Sequence, residues 1–424
     1  MTVPSDLTAG TGSGLGAAVD ADGSLLLTSA DVQLLLAAAV EHAGGTLISW
    51  RLQHVDSQPG SSTTATYAAA VDWPTGRRDE LLGASARVGG RRGNDDRAIV
   101  FGDGGREVAV WLYPDDPDLP GLRRAASVTE LCALLAEHKV VKTPPPPKAV
   151  GLEMISYRPR RRAVLKVTIK GPGGRQTYFV KVLREAAVAP TLERHRLLLG
   201  AGFPAPAVAA ITADFCLVLP RVAGRPLAEA LFDEAMPCSA ESLVGLLDAM
   251  PPAVVGLPRR PPWSDAVASY AEMVASALPA AAPQLHWLVT QISTGLAGIA
   301  PGGEPTHGDF HEGQVFVRGG LITGVVDIDT VGPGRRADDL ACLLAHLSTV
   351  QRMSVEQAIG LNRLLNLWAP VFEARVDPIE LRLRAAAVVI SLATGPYRSQ
   401  QPQWAAETAT MLNAAEALAR SAAR

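Results

Sequence analysis

The sequence predicts an α+β protein in which a small β-rich lobe leads into a large helical lobe, with a further α+β domain in front. Three observations predict this. Four consecutive prolines, Pro144–Pro147, divide the chain, because such a run neither continues a helix nor enters a central strand. Behind them, "EMISYRPRRRAVLKVTIKGPGGRQTYFVKVLRE" alternates like a β-meander, with a turn at "GPGG" from Gly171. From about Arg221 the pattern turns helical, apart from the strand pair "GQVFVRGG" and "LITGVVDID".

Taken in order, the first two dozen residues are Gly- and Ser-rich and read as mobile. "SADVQLLLAAAVEHAG" reads as an amphipathic helix that Ser29 or Asp31 caps. "TLISWRLQHV", "TTATYAAAVDW", "RAIVFGDG" and "EVAVWLY" read as strands, and "SVTELCALLAEHKV" as the helix that closes the front part. "APTLERHRLLLGAG" reads as a helix ended by Gly, and "DFCLVLP" as a strand. The expected divisions are a cap domain over 1–142, a Pro-rich linker over 143–149, a β-rich lobe over 150–222 and a helical lobe over 223–424. There is no internal repeat.

With 424 residues, 48% of them hydrophobic, each part is long enough to bury a core. A formal net charge of -3 argues against a nucleic-acid partner and gives no sign of an anionic membrane surface. Cys132, Cys216, Cys238 and Cys342 are far apart, which predicts buried thiols rather than disulfides or a zinc site. The first residues lack a basic segment followed by an apolar one, and runs such as "AAAVVISLA" are too short to span a bilayer. The expectation is a cytoplasmic protein.

The chemistry concentrates in "THGDFHEGQ", Thr306–Gln314, and in the strand pair after it. Phosphoryl transfer needs a carboxylate at the acceptor hydroxyl, a metal clamp on the phosphates and a cation beside them. Asp309 lies on a loop after His-Gly, and Gln314 offers an amide oxygen five residues later. A hairpin turned at Gly319-Gly320 then brings Asp327 and Asp329, which period-two alternation sets on one strand face.

This stretch resembles the aminoglycoside phosphotransferase and choline kinase family, relatives of the protein kinases. Their loop reads His-x-Asp-x-x-x-x-Asn before a strand with a metal-binding Asp, and "DDLA" at Asp338–Ala341 resembles the family's next element. The resemblance implies a bilobal kinase-like fold with ATP and Mg²⁺. It implies Asp309 as catalytic base, Gln314 and Asp327 as metal ligands, and Asp329 as a further ligand or a turn carboxylate. His307 would brace the loop, and His311 and Glu312 would reach the acceptor. Gln314 departs from the usual Asn by one methylene but offers the same carbonyl oxygen.

Upstream, Lys181 in "TYFVKVLRE" resembles the family's phosphate-binding lysine, and Glu193 in "TLERHRLLLGAGFPAP" its helix partner. Leu219, Pro220 and Arg221 resemble the hinge that meets adenine. No glycine-rich loop is present. "YRPRRRAVLKV" stands in its place, so Arg158 and Arg160–Arg162 either lean on phosphates or form a solvated tip.

The front domain and the Gln-ended loop resemble cap-bearing actinobacterial maltokinase-like kinases that phosphorylate glucosamine. That implies an amino-sugar partner, with Tyr397, Trp404 and Glu407 of "GPYRSQQPQWAAETATML" at the sugar. A neutral-sugar kinase, an aminoglycoside phosphotransferase and a nucleotide-binding pseudokinase remain the alternatives. The resemblance names no protein partner for the cap.

Overall fold

The computed structural model describes residues 20, 22–89, 97–102, 107–171, 174–233, 236–350 and 354–422. The Gly- and Ser-rich start through residue 19, the end of "RAIVFGDG" and the middle of "GPGG" lie outside the described residues. The chain folds as two compact units. The first comprises Met1–Val188, Val208–Pro220 and Arg398–Pro402, and the second comprises Ala189–Ala207, Arg221–Tyr397 and Gln403–Arg424.

The first unit holds two antiparallel sheets. In one, β1 (Thr46–Gln58), β2 (Ser62–Trp73), β3 (Gly76–Arg87), β4 (Ile99–Gly102) and β5 (Glu107–Leu112) run in the order β1-β2-β3-β5-β4. The central strand, β3, is the one that the sequence pattern hides. It opens on Arg77-Arg78-Asp79-Glu80 and continues through Gly, Ala and Ser, a composition with poor strand propensity. Pairing with β2 and β5 on its two sides holds it, and Leu82, Ala84 and Ala86 alternate into the core. The helix Val32–His42 packs Val32, Leu36 and Val40 into that core, while the Tyr67 hydroxyl donates to the carbonyl of Leu27 at 2.7 Å. Asp31 is itself helical and its side chain caps nothing. Ser29 instead accepts the Asp31 N–H, at 3.2 Å.

The second sheet is the expected meander. Its strands β6 (Val150–Arg158), β7 (Arg162–Gly171), β8 (Gly174–Leu183), β9 (Ala210–Ile211) and β10 (Cys216–Pro220) run β6-β7-β8-β10-β9. The helix Val128–Glu137, with Ser127 accepting the Glu130 N–H, lays Leu131, Leu134 and Leu135 on this sheet, against Leu165, Val180 and Val218. The tip between β6 and β7 is fastened rather than solvated. Asp116, fully buried, accepts the Tyr157 hydroxyl and the Arg160 N–H, both at 2.8 Å, and the Asp118 N–H at 2.9 Å. Tyr157 in turn accepts from the Trp111 indole at 2.9 Å, and the Arg160 guanidinium lies over the Trp111 ring.

The second unit is mostly helical. The helix Pro378–Leu392 is its axis: Leu381 and the run Ala385–Ile390 are buried on all sides, as a central core helix requires. The helices Arg336–Ser348 and Trp404–Ala422 pack on it. A small sheet joins β11 (Arg225–Pro226), β13 (Val315–Arg318) and β14 (Leu321–Val325), and β12 (Glu304–Thr306) pairs with β15 (Gly332–Gly334). All four cysteines are buried and free. No helix among the described residues is long and apolar enough to cross a membrane.

Asp116→Ala would leave three donors without their acceptor. It should cost about 2–4 kcal/mol of stability, read as a lower denaturant midpoint for the first unit. An unchanged midpoint would show that the clamp is not a structural support.

Candidate active site

The hairpin β13–β14 continues one rung past its last strand pair. The Val326 N–H donates to the Gln314 carbonyl at 2.9 Å, beyond the Val315–Val325 pair. Gln314 and Asp327 therefore stand at the same end of the hairpin. The expectation that Asp327 and Asp329 share a strand face is corrected here. The strand ends at Val325, Asp327 turns into the left-handed region at φ 54, and Asp329 lies on the short turn Ile328–Thr330. Asp is among the few non-glycine residues that tolerate this conformation, and such turns collect at functional sites.

The loop that carries Asp309 is held from behind. Asp339, on the helix Arg336–Ser348, accepts the backbone N–H groups of His307 and Gly308, each at 2.8 Å. His307, buried, donates from Nε2 to the Val326 carbonyl at 3.1 Å, and Thr330 Oγ1 donates to the His307 carbonyl at 2.7 Å. Gly308 has φ +79, and a Cβ there would lie 2.8 Å from the Thr330 carbonyl oxygen, so only glycine fits the turn. Beside Asp309, the Cys342 sulfur lies 4.0 Å from Oδ1. Burial, then the Asp309 charge, pushes that thiol well above its ordinary pKa, so it stays protonated.

The helix bearing Asp339 is itself pinned. Arg384 bonds Asp338 and Glu380, both at 2.7 Å, and Arg335 bonds Glu380 at 2.5 and 2.8 Å. Arg336, buried, donates to the carbonyls of Pro305 at 3.1 Å and Leu247 at 2.9 Å. The sequence offered "DDLA" as a signal for this helix but no role for Asp339.

His311 stacks on His346, with centroids 4.1 Å apart and planes 6° apart. Glu312 Oε2 lies 3.9 and 3.8 Å from their Nδ1 atoms. The three are close enough to suggest an ion, but parallel rings at that separation cannot both aim in-plane lone pairs at one metal. His311 also meets the Gly313 N–H at Nδ1, 3.1 Å, and the Gln314 amide at Nε2, 3.0 Å. Burial, then His346, lowers its pKa to about 4, so the ring is neutral at pH 7 and accepts at one nitrogen only. The Gly313 N–H at Nδ1 and the Gln314 amide nitrogen at Nε2 therefore compete for the single acceptor of the ring, and the Gln314 amide turns its nitrogen, not its oxygen, toward His311.

In the first unit, Lys181 occupies β8 between Val164 and Leu217 and is only 6% exposed, which rules out a lysine with its head in water. Leu219 and Pro220 end β10, and Arg221 Nη2 reaches the Gly224 carbonyl at 3.1 Å. Glu193 is half-exposed and bonds Arg196 at 2.6 and 2.8 Å. In the next position of that helix, buried Arg194 donates to the Val331 carbonyl at 2.9 Å. Tyr397 and Trp404 meet edge to face at 5.0 Å. Trp404 and Glu407 occupy the first turn of the helix Trp404–Ala422, and Thr408 beside them is buried and donates to Ala393.

The profile of the phosphotransferase enzyme family matches residues 155–371, just over half of the chain. The chain belongs to this family. Its similar solved structures include aminoglycoside phosphotransferase APH(4)-Ia in a ternary complex with ADP and hygromycin B, at 15% identity and TM-score 0.46, covering 69% of this chain and 99% of that one. Choline kinase from Cryptosporidium parvum Iowa II is 10% identical at TM-score 0.45, covering 69% and 95%. Spectinomycin phosphotransferase APH(9)-Ia with ADP and spectinomycin is 15% identical at TM-score 0.46, covering 69% and 98%. No curated protein matches the chain. The fold is kinase-like, a β-rich N-terminal lobe and a helical C-terminal lobe, with additional chain in front. ATP with Mg²⁺ is typical of the family. The donors here suit a hard divalent cation: Gln314, Asp327 and Asp329 offer oxygens, and the extra hairpin rung sets the first two residues at the same end of the hairpin.

Burial pushes the Asp339 carboxyl from 3.8 up to about 6, against the pull of His307, the two backbone N–H bonds and Arg336. A folded pKa above the unfolded value stabilises fully below the unfolded pKa, and that stability is lost as pH rises through about 6. Acidification from pH 7 to pH 4 should therefore shift the stability difference between the native chain and Asp339→Asn in favour of the native chain. Paired urea titrations measure it, and a pH-independent difference would contradict the assignment.

Proposed function

We propose that this chain is an ATP-dependent sugar kinase that converts glucosamine to glucosamine 6-phosphate in the cytoplasm. The observation that carries the phosphotransfer reading is the loop that bears Asp309, held by Asp339 and tied through His307 to Val326 next to Asp327. In this reading, Asp309 orients the 6-hydroxyl in line with the γ-phosphorus and takes its proton late. The new bond joins the sugar oxygen to the γ-phosphorus, the bond to the β–γ bridging oxygen breaks, and ADP leaves. Gln314 and Asp327 hold Mg²⁺, with Asp329 in support, and the ion when bound offsets charge on the phosphate oxygens. His311 keeps the Gln314 amide nitrogen turned toward its ring, which would leave the amide oxygen for the metal.

Lys181, buried in the sheet, would hold the α- and β-phosphates, as the family resemblance implies. Leu219, Pro220 and Arg221 would offer backbone groups to adenine. Glu193, paired with Arg196 here, is the nucleotide-site carboxylate that the family resemblance implies.

The amino-sugar choice rests on Tyr397, Trp404 and Glu407. The Tyr397–Trp404 pair offers an aromatic surface to a sugar ring, and the carboxylate one turn along suits an ammonium group.

ADP release with ATP and Mg²⁺ tests the reading across glucosamine, N-acetylglucosamine, glucose, maltose and kanamycin. Turnover should be greatest on glucosamine and fall roughly 10²–10⁴-fold in Asp309→Asn. Glu407→Ala should raise KM for glucosamine and leave glucose unaffected. Preferred turnover on maltose or glucose would make the chain a neutral-sugar kinase, and on kanamycin an antibiotic kinase. Nucleotide binding without any turnover would make it a pseudokinase.

A further inference from the structure

The first unit holds a cavity that the site chemistry above does not use. A cavity of about 310 Å³ opens between the ends of β1–β5 and the tip joining β6 to β7, at the small end of the roughly 300–1,000 Å³ range of ligand pockets. It shares no residue with Lys181, Asp309, Gln314 or Asp327.

Its lining is cationic. Arg87 comes from β3, Arg158, Arg160 and Arg161 from the tip, and Arg184 from the residue after β8. Three carboxylates oppose these five guanidinium groups. Asp56 is shared, 3.3 Å from Arg161 and 2.9 Å from Arg398, which adds another positive charge at the edge. Asp118 lies 4.0 Å from Arg160, and Glu107 sits opposite Arg87 in the β3–β5 register. Among the described residues, Arg87 and Arg184 meet no carboxylate within ion-pair reach. Guanidinium forks match phosphate oxygens, so Arg87 and Arg184 gain most from a dianion. His54, in the same wall, has its pKa lowered to about 4 by burial and then by Arg398, so it stays neutral there. Gln58, Ser62 and Thr64 add neutral partners of the kind that sugar hydroxyls use.

We propose that this cavity binds a small phosphorylated ligand of sugar-phosphate size, separately from the nucleotide. The pocket is pre-formed, because the Asp116–Tyr157–Trp111 clamp sets the tip from within the protein. Little ordering then opposes binding.

Calorimetric titration of the full chain tests this, with inorganic phosphate, pyrophosphate and glucosamine 6-phosphate as probes, each with and without saturating Mg²⁺ and a non-hydrolysable ATP analogue. At least one probe should bind in both states, and Arg87→Ala/Arg184→Ala should weaken it by at least about tenfold. The same variant should keep the melting temperature of the native chain. Three results would overturn the proposal: no binding by any probe at millimolar concentration, binding unaltered in the double variant, or binding abolished by the nucleotide analogue. The last would assign the arginines to the ATP phosphates.

Discussion

The second unit depends on one buried carboxylate. Asp339 has no access to water and accepts two consecutive backbone N–H groups, those of His307 and Gly308. A loop that turns back at Gly308 leaves those two donors without a strand or helix partner, and a buried unpaired N–H is costly. Asp339 therefore decides where Asp309 stands. The constraint spreads outward: Arg336, Arg335 and Arg384 pin the helix that carries Asp339, and His307 and Thr330 tie the loop to the segment around Asp327. These short contacts hold the loop of Asp309 and the hairpin end at Gln314 and Asp327 as a single piece.

The first unit shows the same logic with different parts. The tip between β6 and β7 is built from arginine and proline. A tip of that composition needs anchoring, and Asp116, Tyr157 and Trp111 supply it. Asp116 and Trp111 lie ahead of the family match, and Tyr157 is just inside it. The additional front chain is in this sense part of the hairpin's support.

Much of this was legible in the sequence, and the gaps have physical causes. The β13–β14 hairpin was readable because Gly319-Gly320 interrupts two apolar alternations. Lys181 was readable because it sits inside one. β3 was not, since its stability comes from neighbours on both sides and its own residues favour no strand. Asp327 and Asp329 were placed on one strand face because period-two counting assumes that the strand continues, and a left-handed turn at Asp327 ends that assumption. Asp339 and Asp116 were missed for a shared reason. Each acts through backbone or side-chain donors distant in sequence, 31 and 32 residues for Asp339 and 41 and 44 for Asp116, beyond any local pattern. The family resemblance proposed the reacting groups, while the structure identified the side chains that hold the loop around Asp309.

The central claim is that Gln314 serves with Asp327 as a working metal clamp. Mn²⁺ titration followed by electron paramagnetic resonance, with a non-hydrolysable ATP analogue present, tests it most directly. The account predicts a nucleotide-dependent Mn²⁺ site that Gln314→Asn retains and that Gln314→Ala and Asp327→Asn each weaken severely. Equal Mn²⁺ binding in the native chain and all three variants would contradict it.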